Sequence, residues 1–203
     1  MQSHAAFCAD IGSIPANKFG WASSIYGKLE TGRDIEILAQ EIAKAINVGC
    51  KVSIGFEYPL FVPVREIPKM VAAARRGEGN RSWSAGPGTG ALATGLVESI
   101  WVMKKVKSIL GYAPKPTFDW ADFKQTNSVF LWEAFVTSSA KGGDHCHDAE
   151  IALRKFLDCT KNPICASAIN EPSVMSLIGA CAIRAGWTKD VSILWKACLV
   201  IKP

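Results

Sequence analysis

Three apolar stretches of this sequence each carry a single carboxylate. Asp10 follows the run Ala5-Ala-Phe-Cys-Ala9, Glu57 follows Lys51-Val-Ser-Ile-Gly-Phe56, and Glu133 interrupts Ser128-Val-Phe-Leu-Trp-Glu-Ala-Phe-Val136. A buried, ionised carboxylate costs several kcal/mol unless it is paired or bound to a cation. One such acid alone reads as a strand-end residue facing water. Three on neighbouring strands would converge at one end of a sheet and require a counter-cation, and Mg²⁺ or Mn²⁺ prefers oxygen ligands.

A fourth acid, Asp148, belongs to a helix expected from about His145 to Asp158. The inward positions of that helix are Ala149, Ala152, Leu153 and Phe156. Ala152 and Phe156 fall four and eight residues after Asp148, which places Asp148 on the packed face in the first turn. His145 lies one turn earlier on the same side, and Asp144 is close by. The plainer role for Asp144 or Asp148 is to cap the helix. Glu150 faces outward, four residues before Arg154, as in an ordinary surface ion pair. Asp144-His-Cys-His147 is a poor zinc site, because adjacent ligands on one helical turn diverge.

A basic segment supplies a second kind of chemistry. Residues 61–115 hold nine Lys or Arg against three acids, more positive than the whole chain at +5. Arg75, Arg76 and Arg81, beside Trp83, are candidates to contact phosphates and stack on a base. The plainer alternative is solvated arginines, with Lys104, Lys105 and Lys107 complementing a helix C-terminus. Gly86-Pro-Gly-Thr-Gly90 lacks the Gly-Lys-Ser/Thr ending of a phosphate loop and reads as the turn before a helix.

The elements that must position these residues follow from periodicity. Residues 5–12 suit a strand buried on both faces, Phe19–Ile25 a second strand in a hairpin with it, and Lys28–Glu30 a short third. Asp34 is a plausible N-cap for a helix carrying Ile35, Leu38, Ile42 and Ile46, with Gly49 at its C-terminal end. A strand over 51–57 follows and ends before Pro59. A long helix then carries Leu92, Leu96, Ile100, Met103, Val106 and Leu110, closed by Gly111. Residues 112–127 read as a packed loop, 128–136 as a strand, Asn170-Glu-Pro172 as a helix start and Val191–Ile201 as a strand. Strands that meander and then alternate with helices argue for a mixed sheet covered by helices.

Composition sets outer limits. With 49% hydrophobic and 20% charged residues, the 203-residue chain can bury a sizeable core. No apolar run approaches the ~20 residues of a membrane helix, and Arg184 interrupts the nearest, 173–185. The seven cysteines are scattered without a CxxC pair, and the first strand leaves no room for a cleavable signal. Reduced thiols and a cytoplasmic location are therefore expected.

Several of these features together resemble the ribonuclease H-like superfamily. They are the Asp10-Ile-Gly12 strand end, the hairpin after it, Glu57 after the first long helix, and Asp148-Ala149 opening a late helix. The stretch His145-Cys-His-Asp148-Ala149 looks like the last acidic motif of RuvC-type Holliday-junction resolvases. The chain as a whole is similar to a bacterial family described as predicted ribonuclease H-like nucleases, over roughly residues 5–160. One departure is that Glu57 is followed by Tyr-Pro-Leu60, as in that family but not in the resolvases.

The resemblance implies an α/β fold, a mixed sheet with helices on both faces. It implies one domain over 1–203, with a core of about 5–160 and a C-terminal extension. It also implies two-metal phosphodiester hydrolysis, with Asp10 bridging two Mg or Mn ions and Glu57 and Asp148 each holding one. Glu133 maps onto a more variable metal ligand. His145 or His147 would position the water or protonate the leaving oxygen. Two alternatives remain open: an ATP-binding protein of the actin and sugar-kinase fold, and a non-catalytic nucleic-acid-binding module. Nucleic acid is the expected partner, and a homodimer is compatible with the sequence.

Overall fold

The computed structural model describes residues 3–79, 81–137, 140–161 and 167–203. The chain opens with a meander of β1 (His4–Asp10), β2 (Gly20–Ile25) and β3 (Lys28–Gly32), each pair antiparallel. Helix α1 (Ile35–Asn47) follows, and the Asp34 carboxylate caps it by accepting from the amides of Glu36 and Ile37 at 2.7 and 3.3 Å. It delivers the chain into β4 (Lys51–Glu57), parallel to β1, and then into the short β5 (Phe61–Pro63).

Helix α2 (Gly86–Leu110) begins well before Leu92. Pro87 in its first turn needs no donor there and has its φ already set for a helix. Gly111, at φ 75°, closes it in the left-handed conformation. The expected loop at 112–127 contains β6 (Lys115–Thr117) and α3 (Trp120–Gln125), the latter capped by Asp119. Strand β7 (Ser128–Ala134) and α4 (His145–Lys161) come next, and Glu150 pairs with Arg154 at 2.7 Å as expected.

The C-terminal stretch departs from its sequence pattern. Asn170–Pro172 starts no helix; instead β8 (Val174–Ser176) pairs antiparallel with β5, and Ser176 caps α5 (Leu177–Ala185). The strand expected over 191–201 is a 3₁₀ turn at Val191–Trp195 followed by the three-residue β9 (Leu199–Ile201). Cys8, Cys50, Cys146, Cys181 and Cys198 are free thiols, whereas Cys159, also expected to be reduced, is disulfide-bonded. Cys165 lies outside the described residues.

The main sheet runs β3-β2-β1-β4-β7-β6, with β9 also paired to β7. Its parallel strands β1, β4 and β7 occupy the centre. This is the expected α/β mixed sheet with helices on both faces, and it is consistent with a ribonuclease H-like arrangement. One core joins α1, α2 and α5 to Ala5, Phe7, Ala9, Val52, Ile54, Phe56, Val129 and Leu131. The opposite core joins α4 and Phe123 of α3 to Ala6, Cys8, Phe130, Trp132 and Ala134. Strand side chains alternate faces, so odd residues of β1 and β7 and even residues of β4 point to the first core. Ile169, Val174, Ile178, Trp187 and Val200 belong to that core, so the C-terminal extension is packed into the same interior. No described helix is long and apolar enough to cross a membrane.

Candidate metal centre

Asp10 and Glu57 are direct neighbours across the parallel β1–β4 pair, both at the strand ends. As an even residue of β1 and an odd residue of β4, they face the α4 side. Helix α4 crosses that face in close contact with β2. A Cβ on Gly20 would come within 2.4 Å of the His145 carbonyl carbon, so only glycine lets the helix start settle there. This approach delivers Asp148, in the first helical turn, to the two strand acids. One ligand atom from each of Asp10, Glu57 and Asp148 lies within 4.8 Å of the others, although the three come from separate elements.

The acids are buried or nearly so. Burial pushes the Asp10 carboxyl up to about 6, against the pull of His145. Burial, followed by the nearby Asp10 charge, pushes Glu57 up to about 9. His145 Nδ1 lies 2.6 Å from Asp10 Oδ2. The Gly142 amide donates to Asp148 Oδ1, and Lys141 Nζ is 3.6 Å from Asp148 Oδ2. Glu57 Oε2 is buried with no hydrogen-bond partner. An orphaned carboxylate oxygen in an all-oxygen cluster suits a hard divalent cation, which would neutralise the set and fill the missing coordination. The cluster could hold a metal ion.

Glu133 does not join it. In the parallel β4–β7 register its neighbour is Phe56, not Glu57, and Ala134 occupies the position beside Glu57's face. A one-residue offset turns a strand side chain to the opposite side of the sheet. There Glu133 is fully buried and meets Arg75 through two contacts of 2.7 and 2.8 Å, while also accepting the Leu60 amide at 2.8 Å.

The same pair removes Arg75 from the expected nucleic-acid surface, since Arg75 is only 2% exposed. Its guanidinium also bonds Glu78 and the Phe61 carbonyl. Burial opposes its charge, but Glu133 and Glu78 outweigh burial and hold the guanidinium above the ordinary arginine range. Arg76 and Arg81 remain exposed, and Trp83 is half-buried with its indole N–H donated to the Ala73 carbonyl at 3.1 Å. Of the two helix-start histidines, only His145 touches the cluster. His147 Nδ1 accepts the Gly143 amide at 3.2 Å, and Asp144 caps α4 through the His147 amide at 2.9 Å.

Three neighbours of the cluster escaped sequence reading. Glu98 of α2 is buried with Oε2 unpartnered, and burial pushes its carboxyl up to about 7. Its spacing from Val102 and Val106 was the available signal. Lys141 stands in the glycine-rich stretch Lys141-Gly-Gly-Asp144, and its position ahead of Asp148 was the available signal. Finally, a cavity of about 380 Å³ opens beside Glu57, lined by Tyr58, Arg81, Trp83, Phe135 and Lys141 among others. Its walls come from four separated segments, so no local pattern announces it.

Against protein-family models, curated proteins and solved structures, the chain gives no match.

Proposed function

We propose that the protein is a Mg²⁺- or Mn²⁺-dependent hydrolase of nucleic-acid phosphodiesters, with Asp10, Glu57 and Asp148 as its metal ligands. The observation that carries this reading is the convergence of those carboxylates within 4.8 Å, with Glu57 Oε2 unsatisfied. Bound there, divalent cations would supply positive charge to the phosphodiester and acidify the attacking water. Asp10, the cross-strand neighbour of Glu57, would hold the cations together with Glu57 and Asp148.

The remaining roles fall to side chains around the cluster. His145 has Nδ1 engaged by Asp10, which orients the ring and leaves Nε2 to exchange a proton with the water or the leaving oxygen. Lys141 faces both Asp148 and the cavity, where its ammonium can meet a substrate phosphate. Arg76 and Arg81 are exposed cations for the flanking backbone. The ribonuclease H-like resemblance supports the same chemistry.

The test is Mn²⁺-dependent cleavage of branched, single-stranded and hybrid nucleic acids. Asp10→Asn should reduce cleavage to background while preserving the fold. Cleavage that survives Asp10→Asn would sink the proposal. Nucleic-acid binding with no cleavage in any cation would favour a binding module, and stabilisation by ATP without cleavage would favour nucleotide handling.

A further inference from the structure

The cavity beside Glu57 has a chemistry of its own. Tyr58 donates or accepts at Ser99 Oγ, 2.7 Å away, and the Trp83 N–H is committed to the Ala73 carbonyl. Neither ring brings a free polar atom to the lining; Tyr58 is buried at 3% exposure, and the half-buried Trp83 is the ring with surface to offer. Phe135, Pro59, Ala91 and Val136 extend that apolar lining. Four charged residues share the lining: Glu57 and Lys141, which also belong to the surroundings of the carboxylate cluster, and Arg81 and Glu78. The first turn of α2, whose N-cap Ala85 supplies no side-chain hydrogen bond, also borders it.

A cavity lined by Trp83 and Phe135, with Arg81 and Lys141 on its lining and Glu57 shared with the carboxylate cluster, fits a flat, apolar-faced group attached to a phosphate. We propose that it holds one unpaired nucleobase of the substrate strand, next to the phosphodiester presented to Asp10, Glu57 and Asp148. The inference rests on the hydrolase reading for the chemistry at the phosphate and adds the substrate class: single-stranded or extruded nucleotides rather than a stacked duplex. A base within a duplex cannot enter a pocket of this kind without leaving the stack. Stacking on aromatic faces recognises bases without demanding a particular sequence, as the committed polar atoms of Trp83 and Tyr58 require.

Titration calorimetry of the full chain with adenosine 5′-monophosphate, ribose 5-phosphate and inorganic phosphate, in EDTA and again in Mn²⁺, tests this directly. Adenosine monophosphate should bind at least about tenfold more tightly than ribose 5-phosphate, the ratio expected of one base–aromatic stack. Trp83→Ala should erase that ratio, Trp83→Phe should retain most of it, and Arg81→Ala should weaken both ligands alike. Equal affinity for the two sugar phosphates in the unaltered protein, including no binding of either, would overturn the inference. So would a ratio that persists in Trp83→Ala. The two readings fail separately. A base preference without any cleavage removes the hydrolase reading alone, and cleavage without a base preference removes the cavity assignment alone.

Discussion

Replacing Glu57 by glutamine should make the protein more stable and less useful at once. The folded state pushes this carboxyl from 4.5 to about 9, chiefly through burial. At about pH 7.5 the unfolded chain releases the proton and the folded chain retains it. That gap of about 3 pH units corresponds to about 4 kcal/mol against folding. The sign follows from the raised value: the associated stability is fully present below about pH 4.5 and is lost as pH rises towards 9. The Glu57→Gln variant would avoid this cost but would leave a buried amide incompletely satisfied, at about 1–3 kcal/mol. The net gain is about 1–3 kcal/mol, or a Tm higher by about 2–10 °C at this chain length. Thermal unfolding in EDTA at about pH 7.5 should show that gain, and it should vanish near pH 4.5. Saturating Mn²⁺ should reverse the order: a cation at about a hundred times its Kd stabilises the unaltered protein by about 2.7 kcal/mol, and the variant much less. A variant that melts lower in EDTA, or an unaltered protein indifferent to divalent cations, would refute the reasoning.

Two further outcomes follow. Glu133→Gln should cost about 1–3 kcal/mol in thermal unfolding, because it weakens two charge-assisted bonds to the buried Arg75 and leaves Glu78 as its remaining carboxylate partner, while the Mn²⁺-induced rise in Tm persists. His145→Ala should lower cleavage about 100-fold but leave that rise in place. It should also shift the acid limb of the pH–rate profile upward, since His145 pulls the Asp10 carboxyl down against burial.

What the sequence could reveal depended on where the information was local. Asp148 was legible because helical spacing from Ala152 and Phe156 fixes its face without reference to any other element. Asp10 and Glu57 were legible because each ends an apolar run. Glu133 was misread because β7 is apolar on both faces, and a run without alternation gives no parity from which to assign a side. Arg75 looked like a surface cation because one of its two buried partners, Glu133, lies 58 residues away, and the nearer one, Glu78, reads as an ordinary surface acid three residues on. Strand β8 exists only by pairing with β5, and a three-residue strand held by a distant partner leaves little trace in composition. The Cys159 disulfide was missed because scattered cysteines without a paired motif gave no spacing to read.

The Arg75–Glu133 pair has a consequence for the order in which the chain assembles. Residues 64–85 contain only one short 3₁₀ turn, Pro68–Met70, among those described, yet they carry the Arg81 and Trp83 wall of the cavity. Their fixed point is a guanidinium driven into the interior, where Glu78 of the same segment supplies one carboxylate and Glu133 the two closest contacts, and burying that charge is unfavourable until both partners are in place. Glu133 is in place only once β7 has joined β4. The segment therefore closes after the central sheet, and pulsed hydrogen exchange should find the Arg75 and Glu78 amides protected later than those of Ile54 and Leu131. Simultaneous protection would contradict this order. Because that step precedes any ligand, the aromatic wall is already standing when a substrate arrives, and docking against it need not include the entropic cost of ordering a loop.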